Sequence, residues 1–299
     1  MSRRIKILLA GSVVVGLLLI LFAAFGSAGK NDAFYPQNEF KLEPWISIKL
    51  GPLDLSINKA VLYLWLAAGL TIFTVLWIAN RMTARPNRIQ TALEAAFLLM
   101  RDTITRGNME DAMARKWFPF VGTLFLFIWF SNMIGYIPLP TNTHETVDVF
   151  GFAIPTFAIY AATANISVPL VLTLIVWITY HVEGVRKKGF VGYLKSWVPA
   201  GTPRPLRPAI FVIEVISQFV RVISLSVRLF ANILAGHLLI LFMAGGLVVL
   251  LGLAALGALT LPVAVAFFLF EVVLISTLQA FIFATLTSIY FGGAVAEHH

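Results

Sequence analysis

Residues 209–244 read AIFVIEVISQFVRVISLSVRLFANILAGHLLILFMA, thirty-six positions without a proline and with only three charged side chains, Glu214, Arg221 and Arg228. As one helix this stretch measures about 54 Å at ~1.5 Å per residue. The hydrocarbon core of a bilayer is only ~30 Å thick, so such a helix fits a membrane when it tilts steeply. Glu214, Ser217, Arg221, Ser224, Arg228 and Asn232 recur every three or four positions and therefore share one face. An arginine stays protonated and carries five donors, and placing one in hydrocarbon costs at least ~2.5–3.5 kcal/mol. Arg228 has no acid within two turns of its own helix, so its partner has to come from elsewhere.

The rest of the chain supports the membrane reading. It is 59% hydrophobic and 12% charged, with mean hydropathy +0.89, against roughly 25% charged residues in soluble domains. A water-soluble enzyme is excluded. There is no cysteine, so no disulfide framework, iron–sulfur cluster or thiolate zinc site can form. No glycine-rich nucleotide loop is present, and neither a cofactor nor a metal is expected. The net charge of +8 does not point to nucleic acid, because of where the charges lie. Of 22 Lys and Arg, three are Arg3, Arg4 and Lys6, four fall in Lys30–Lys59, seven in Arg81–Lys116 and six in Arg186–Arg207. The segment Pro140–Gly151 has none. Basic loops alternating with loops poor in Lys and Arg are the positive-inside pattern of a polytopic membrane protein.

That pattern orients the spans. Residues 1–28 read as a signal peptide or a first membrane helix, the length of Ile7–Phe25 favouring the helix. Residues 29–299 read as one membrane domain. Ala60–Ala79 crosses inward to a basic run, Trp117–Leu139 crosses outward, and a span within Phe152–Tyr180 returns to a basic inner loop at His181–Lys188. Between the first two, Ile89, Leu93, Phe97, Met100 and Ile104 recur at helical spacing. That segment either lies along the inner membrane surface or packs on the protein. The long helix starts from Pro208 on the inner side, and a last apolar helix follows Pro262 to about Phe291. The expected fold is all-α and polytopic. It has five to six transmembrane helices, one amphipathic surface helix and two long tilted C-terminal helices, with the C-terminus inside.

A polar stripe on a membrane helix has a structural reading, in which carboxylate, arginine and serines bond neighbouring helices. It also has a functional one, an ion path. Glu214 and Arg221 fit either. Arg228, without an acid of its own, fits the second. His237 lies farther along the same helix and Glu271 on the next; a carboxyl and an imidazole in apolar surroundings suit a proton relay. Asn132, Asn165 and Gln279 add polar groups that can hold water inside other spans.

The motifs SLSVRLFANILAGHLL (224–239) and LQAFIFATLTSIY (278–290) resemble subunit a of the F-type ATP synthases, with weaker similarity through FSNMIGYIPLP (130–140) and TANIS (163–167). The match is most specific over residues 208–291. The histidine at 237, where many members carry an acid, resembles the alphaproteobacterial and mitochondrial branch. The resemblance implies a stator subunit that is not itself catalytic and stands beside a rotating ring of c subunits. Its implied partners are that ring, b-type peripheral stalk subunits, the remaining synthase subunits and membrane lipids, in the plasma (inner) membrane of a bacterium.

By the same matching, Arg228 corresponds to the essential arginine between two aqueous half-channels, and the ring supplies its acid. Glu214 and Ser217 correspond to the cytoplasmic half-channel. Asn132, Asn165, Asn232, His237 and Gln279 correspond to the outer one, which Glu271 joins as the relay partner of His237. Small residues at Ala235 and Gly236 would let ring helices approach. The family often carries a titratable residue seven positions before the Gln of the last helix. Here that position is Val272, and Glu271 is one residue earlier, about 100° round a regular helix. A secondary ion-coupled transporter is the alternative, but the repeats and broken helices it would show are not visible. A structural scaffold leaves Arg228 unexplained.

Overall fold

A computed structural model describes the chain at residues 16, 40–51, 53–81, 83, 87–141, 146–149, 152–155, 159–199, 201–246 and 257–296. The segment 1–28 lies outside these residues except for Gly16. The described elements are helical apart from two small antiparallel hairpins. In the first, β1 (Lys49–Leu50) pairs with β2 (Leu53–Asp54). In the second, β3 (Thr146–Val149) pairs with β4 (Phe152–Pro155), with Val149 opposite Phe152.

Among the described residues, five helical stretches are long and apolar enough to cross a membrane: Lys59–Asn80, Asp111–Ile134, Ser167–Lys188, Arg204–Ala244 and Thr260–Val295. The fold is that of an all-α polytopic membrane protein. The helices are α1 (Lys59–Arg81), α2 (Arg88–Leu98), α3 (Asp111–Ile134), α4 (Ser167–Lys188), α5 (Phe190–Lys195), α6 (Arg207–Leu241), α7 (Gly257–Phe270) and α8 (Ser276–Val295). Three π-helical segments continue them: Leu99–Arg106 after α2, Phe242–Gly246 after α6, and Glu271–Ile275 between α7 and α8.

Several boundaries differ from the sequence reading, each for a local reason. The third span, expected within Phe152–Tyr180, begins at Ser167: Phe152–Pro155 is a strand, and just before the helix Asn165 Oδ1 accepts the Ser167 amide at 3.0 Å. The basic run His181–Lys188 is not a loop but the last two turns of α4. Arg186, Lys187 and Lys188 sit in the final turn, where cations complement the helix dipole. The helix stops at Gly189, whose φ of +71° suits a residue without a side chain. Pro119 and Pro262 lie inside helices rather than at their ends.

The chain forms two compact units. One comprises Leu42–Leu139, Tyr160–Leu234 and Ile275–His299; the other comprises Met1–Lys41, Pro140–Ile159 and Ala235–Leu274. The core of the first unit is built on α3, which buries Val121, Phe125, Ile128 and Asn132. The Trp117 ring lies 4.4 Å from Phe291 of α8 and Phe97 stands edge-on to Phe118 at 4.9 Å, so the segment after Arg88 packs on the protein through its later half. Met100 and Ile104 are buried with it, whereas Ile89 is exposed. Between membrane helices there is no water to expel, so the stabilisation of such contacts is mainly dispersion in close packing. At one end of these helices, Lys116 pairs with the buried carboxylate of Glu183, tying α3 to α4. At the other end, the buried Lys59 places its ammonium 5.1 Å from the Tyr160 ring, and burial pushes the Tyr160 phenol far above its ordinary range.

Candidate functional site

The long helix α6 is amphipathic in an unusual sense, with three faces instead of two. Gln218, Val222, Leu225, Leu229 and Ile233 are buried. Ile213, Ile216, Val220, Ile223 and Val227 are apolar and uncovered. The polar stripe Glu214, Ser217, Arg221, Ser224, Arg228 and Asn232 runs along the border between these two faces. Toward its start the stripe is folded into the protein, and farther along it emerges.

At the folded end, the Arg221 guanidinium donates to Glu214 Oε1 at 3.0 Å and lies 5.5 Å from the Tyr290 ring of α8. Gln218 donates to the same oxygen at 2.8 Å, and Tyr180 of α4 donates to Gln218 Oε1 at 2.7 Å. These groups line a cavity of about 300 Å³, whose far wall is Tyr193, Ser196 and Trp197. That wall is held by a 2.6 Å hydrogen bond between Tyr193 and His181 Nδ1. Burial raises the Tyr193 phenol above its ordinary value, so it stays neutral. Ser217, on the same stripe, is half-buried and makes no hydrogen bond among the described residues.

At the emergent end, Arg228 and Asn232 are exposed. Among the described residues Arg228 has neither an ion pair nor a hydrogen bond. Beside it on the same helix, Val227 and Ile223 are exposed apolar side chains.

Other candidates fall into two groups. In the first unit, Asn132 is fully buried; its Oδ1 accepts from Thr163 at 2.7 Å and its Nδ2 donates to the Ser276 carbonyl at 3.4 Å. Trp129, one turn earlier, donates to Thr277 at 3.1 Å. Gln279 is buried one turn beyond Ser276. Asn165 is half-buried, its side-chain oxygen accepting the Ser167 amide. In the second unit, His237 and Glu271 are both buried. The Glu271 carboxylate lies against the backbone of Gly236, so closely that a methyl group there would overlap it. His237 is the next residue.

The ATP synthase A chain family matches residues 61–292. The chain belongs to that family. Among curated relatives, ATP synthase subunit a of Rubrobacter xylanophilus is 37% identical over 251 residues, covering 83% of this chain and 88% of the relative. Subunit a of Hyphomonas neptunium is 32% identical over 274 residues (89% and 98%), and that of Pelagibacter ubique 34% over 268 residues (88% and 98%). The protein is thus similar to ATP synthase subunit a along most of its length. It is a multi-pass membrane component of the F-type ATP synthase complex, whose work is proton transport for ATP synthesis.

Within this subunit-a framework, sequence spacing found Glu214 and Arg221, which stand two turns apart. It missed Gln218, although a glutamine one turn from a glutamate on the same helix was a visible signal. It also missed Tyr180, Tyr290, Thr163 and Ser276, which reach the site from other elements and carry no local pattern.

Proposed function

We propose that this chain is the stator subunit that carries protons to and from the c ring through two aqueous half-channels, with Arg228 between them. The observation that carries the reading is the unpartnered, exposed Arg228 on a helix face that the chain leaves bare. A ring of c subunits, each bringing a membrane carboxylate, supplies both the cover and the acid. A permanent positive charge at that point favours the ionised form of each arriving carboxylate and blocks direct proton leakage between the half-channels. A lysine would serve poorly, since it loses its proton when buried and lacks the planar fork.

Glu214 and Ser217 belong to the cytoplasmic half-channel, and the cavity beside Glu214 supports that role. Asn132, Asn165, Asn232, His237, Glu271 and Gln279 belong to the outer half-channel. The chain performs no bond chemistry of its own. It sits in a bacterial inner membrane with its C-terminus inside, held against the ring by b-type peripheral stalk subunits and surrounded by lipid.

Arg228→Ala tests this. The variant complex should assemble with its c ring and lose proton-driven ATP synthesis, because the charge serves the ring and not the fold. Arg221→Ala should be milder, since that residue is already paired with Glu214. An assembled Arg228→Ala complex that makes ATP at a near-normal rate would contradict the proposal.

A further inference from the structure

Glu214 is held by one oxygen only. Oε1 accepts from both Gln218 Nε2 and Arg221 Nη2, at 2.8 and 3.0 Å, and among the described residues Oε2 has no partner. The glutamine that does the holding is 4% exposed, and its own direction is fixed. An amide presents a carbonyl on one side and an NH₂ on the other. With the Tyr180 hydroxyl donating to Gln218 Oε1 at 2.7 Å, the NH₂ group is turned to the carboxylate. Were the amide reversed, its carbonyl oxygen would oppose the Glu214 carboxylate oxygen. Tyr180 is itself buried, its ring 5.8 Å from that of Tyr290.

We propose that Gln218 and Tyr180 are positioning residues of the inner proton path. They pin Oε1 of Glu214 to the protein so that Oε2 is the oxygen left to the water of the adjoining cavity. The proposal rests on the reading of Glu214 as a cytoplasmic half-channel acid. In the forward step a proton moves from Oε2 of protonated Glu214 to a cavity water, giving the carboxylate and a hydrated proton. The return step forms the same O–H bond from a hydrated proton. Neither step needs a further reactant. Pinning one oxygen keeps the geometry of this exchange the same at every turnover and leaves the Arg221 contact unbroken while Oε2 gains or loses its proton.

The test uses the assembled synthase in sealed vesicles, with ATP synthesis measured at several inner pH values. Glu214→Gln comes first and addresses the underlying reading; an unchanged rate there removes Glu214 from the path and this proposal with it. Given a loss, Tyr180→Phe and Gln218→Met should each slow synthesis about fivefold, the factor carried by roughly one kcal/mol of hydrogen bond. Tyr180→Phe keeps the ring and its packing, so it remains informative even where Gln218→Met does not assemble. The double variant should be no slower than the slower single, and both singles should change the dependence of rate on inner pH. Additive losses, or a loss by the same factor at every inner pH, would show that the pair only packs α4 against α6.

Discussion

Arg228 and Arg221 are two turns apart on one helix and differ in everything that surrounds them. Arg221 has a carboxylate and an aromatic face within reach, while Arg228 has neither a bond nor cover among the described residues. The identity of each side chain was legible in the sequence, and so was the Glu214–Arg221 pairing, because it follows from helical spacing. The members of that cluster contributed by other helices, Tyr180 and Tyr290, were not, since nothing local records which helix lies opposite. At the same scale the structure explains Gly236. Its missing side chain makes room for the Glu271 carboxylate. Gly236→Ala should therefore displace that carboxylate and slow proton-driven synthesis, and adding the shorter acid, Glu271→Asp, should recover part of the loss. Recovery is the informative outcome: an equal or deeper defect in the double variant would mean that the two residues are not in functional contact.

The elements show a subtler kind of legibility. Apolar runs gave the five crossing helices found among the described residues, since ~20 residues are needed per span, but not their ends. Asn165 Oδ1 accepts the Ser167 amide just before α4 and Gly189 stops that helix, local chemistry that an apolar count overlooks. The π segment Glu271–Ile275 is the most consequential departure. Its i→i+5 bonding takes up about one residue more than an α turn. A wide turn there would offset the one-residue displacement of Glu271 from the position that the family resemblance leads one to expect. Deletion of Val273 should thus close the wide turn to a regular one and leave assembly and synthesis largely intact. Deletion of Ile282, in the regular helix α8, has no wide turn to absorb it and should abolish synthesis. Equal loss in both deletions would show that the wide turn does not compensate for register.

On the scale of the whole molecule, the fold class was legible from composition and from the alternation of basic loops with loops poor in Lys and Arg, and the two hairpins among the described residues were not. Short strands between membrane helices add too little to the apolar pattern to be heard above it. The central claim is that Arg228 divides two water-filled paths that open to opposite sides. The absence of cysteine makes the wild-type background silent, so single cysteines can report on water and sidedness together. Ser217 is half-buried three residues after Glu214 on the same helix, and Asn165 Oδ1 accepts the Ser167 amide at the start of α4. Thiolates form poorly in dry hydrocarbon, so only a wetted position reacts readily. In oriented vesicles bearing the assembled synthase, Ser217→Cys should react with a membrane-impermeant thiol reagent added on the cytoplasmic side, and Asn165→Cys with the same reagent added outside. Labelling of both from one face, or of neither even by the smaller silver ion, would contradict the account.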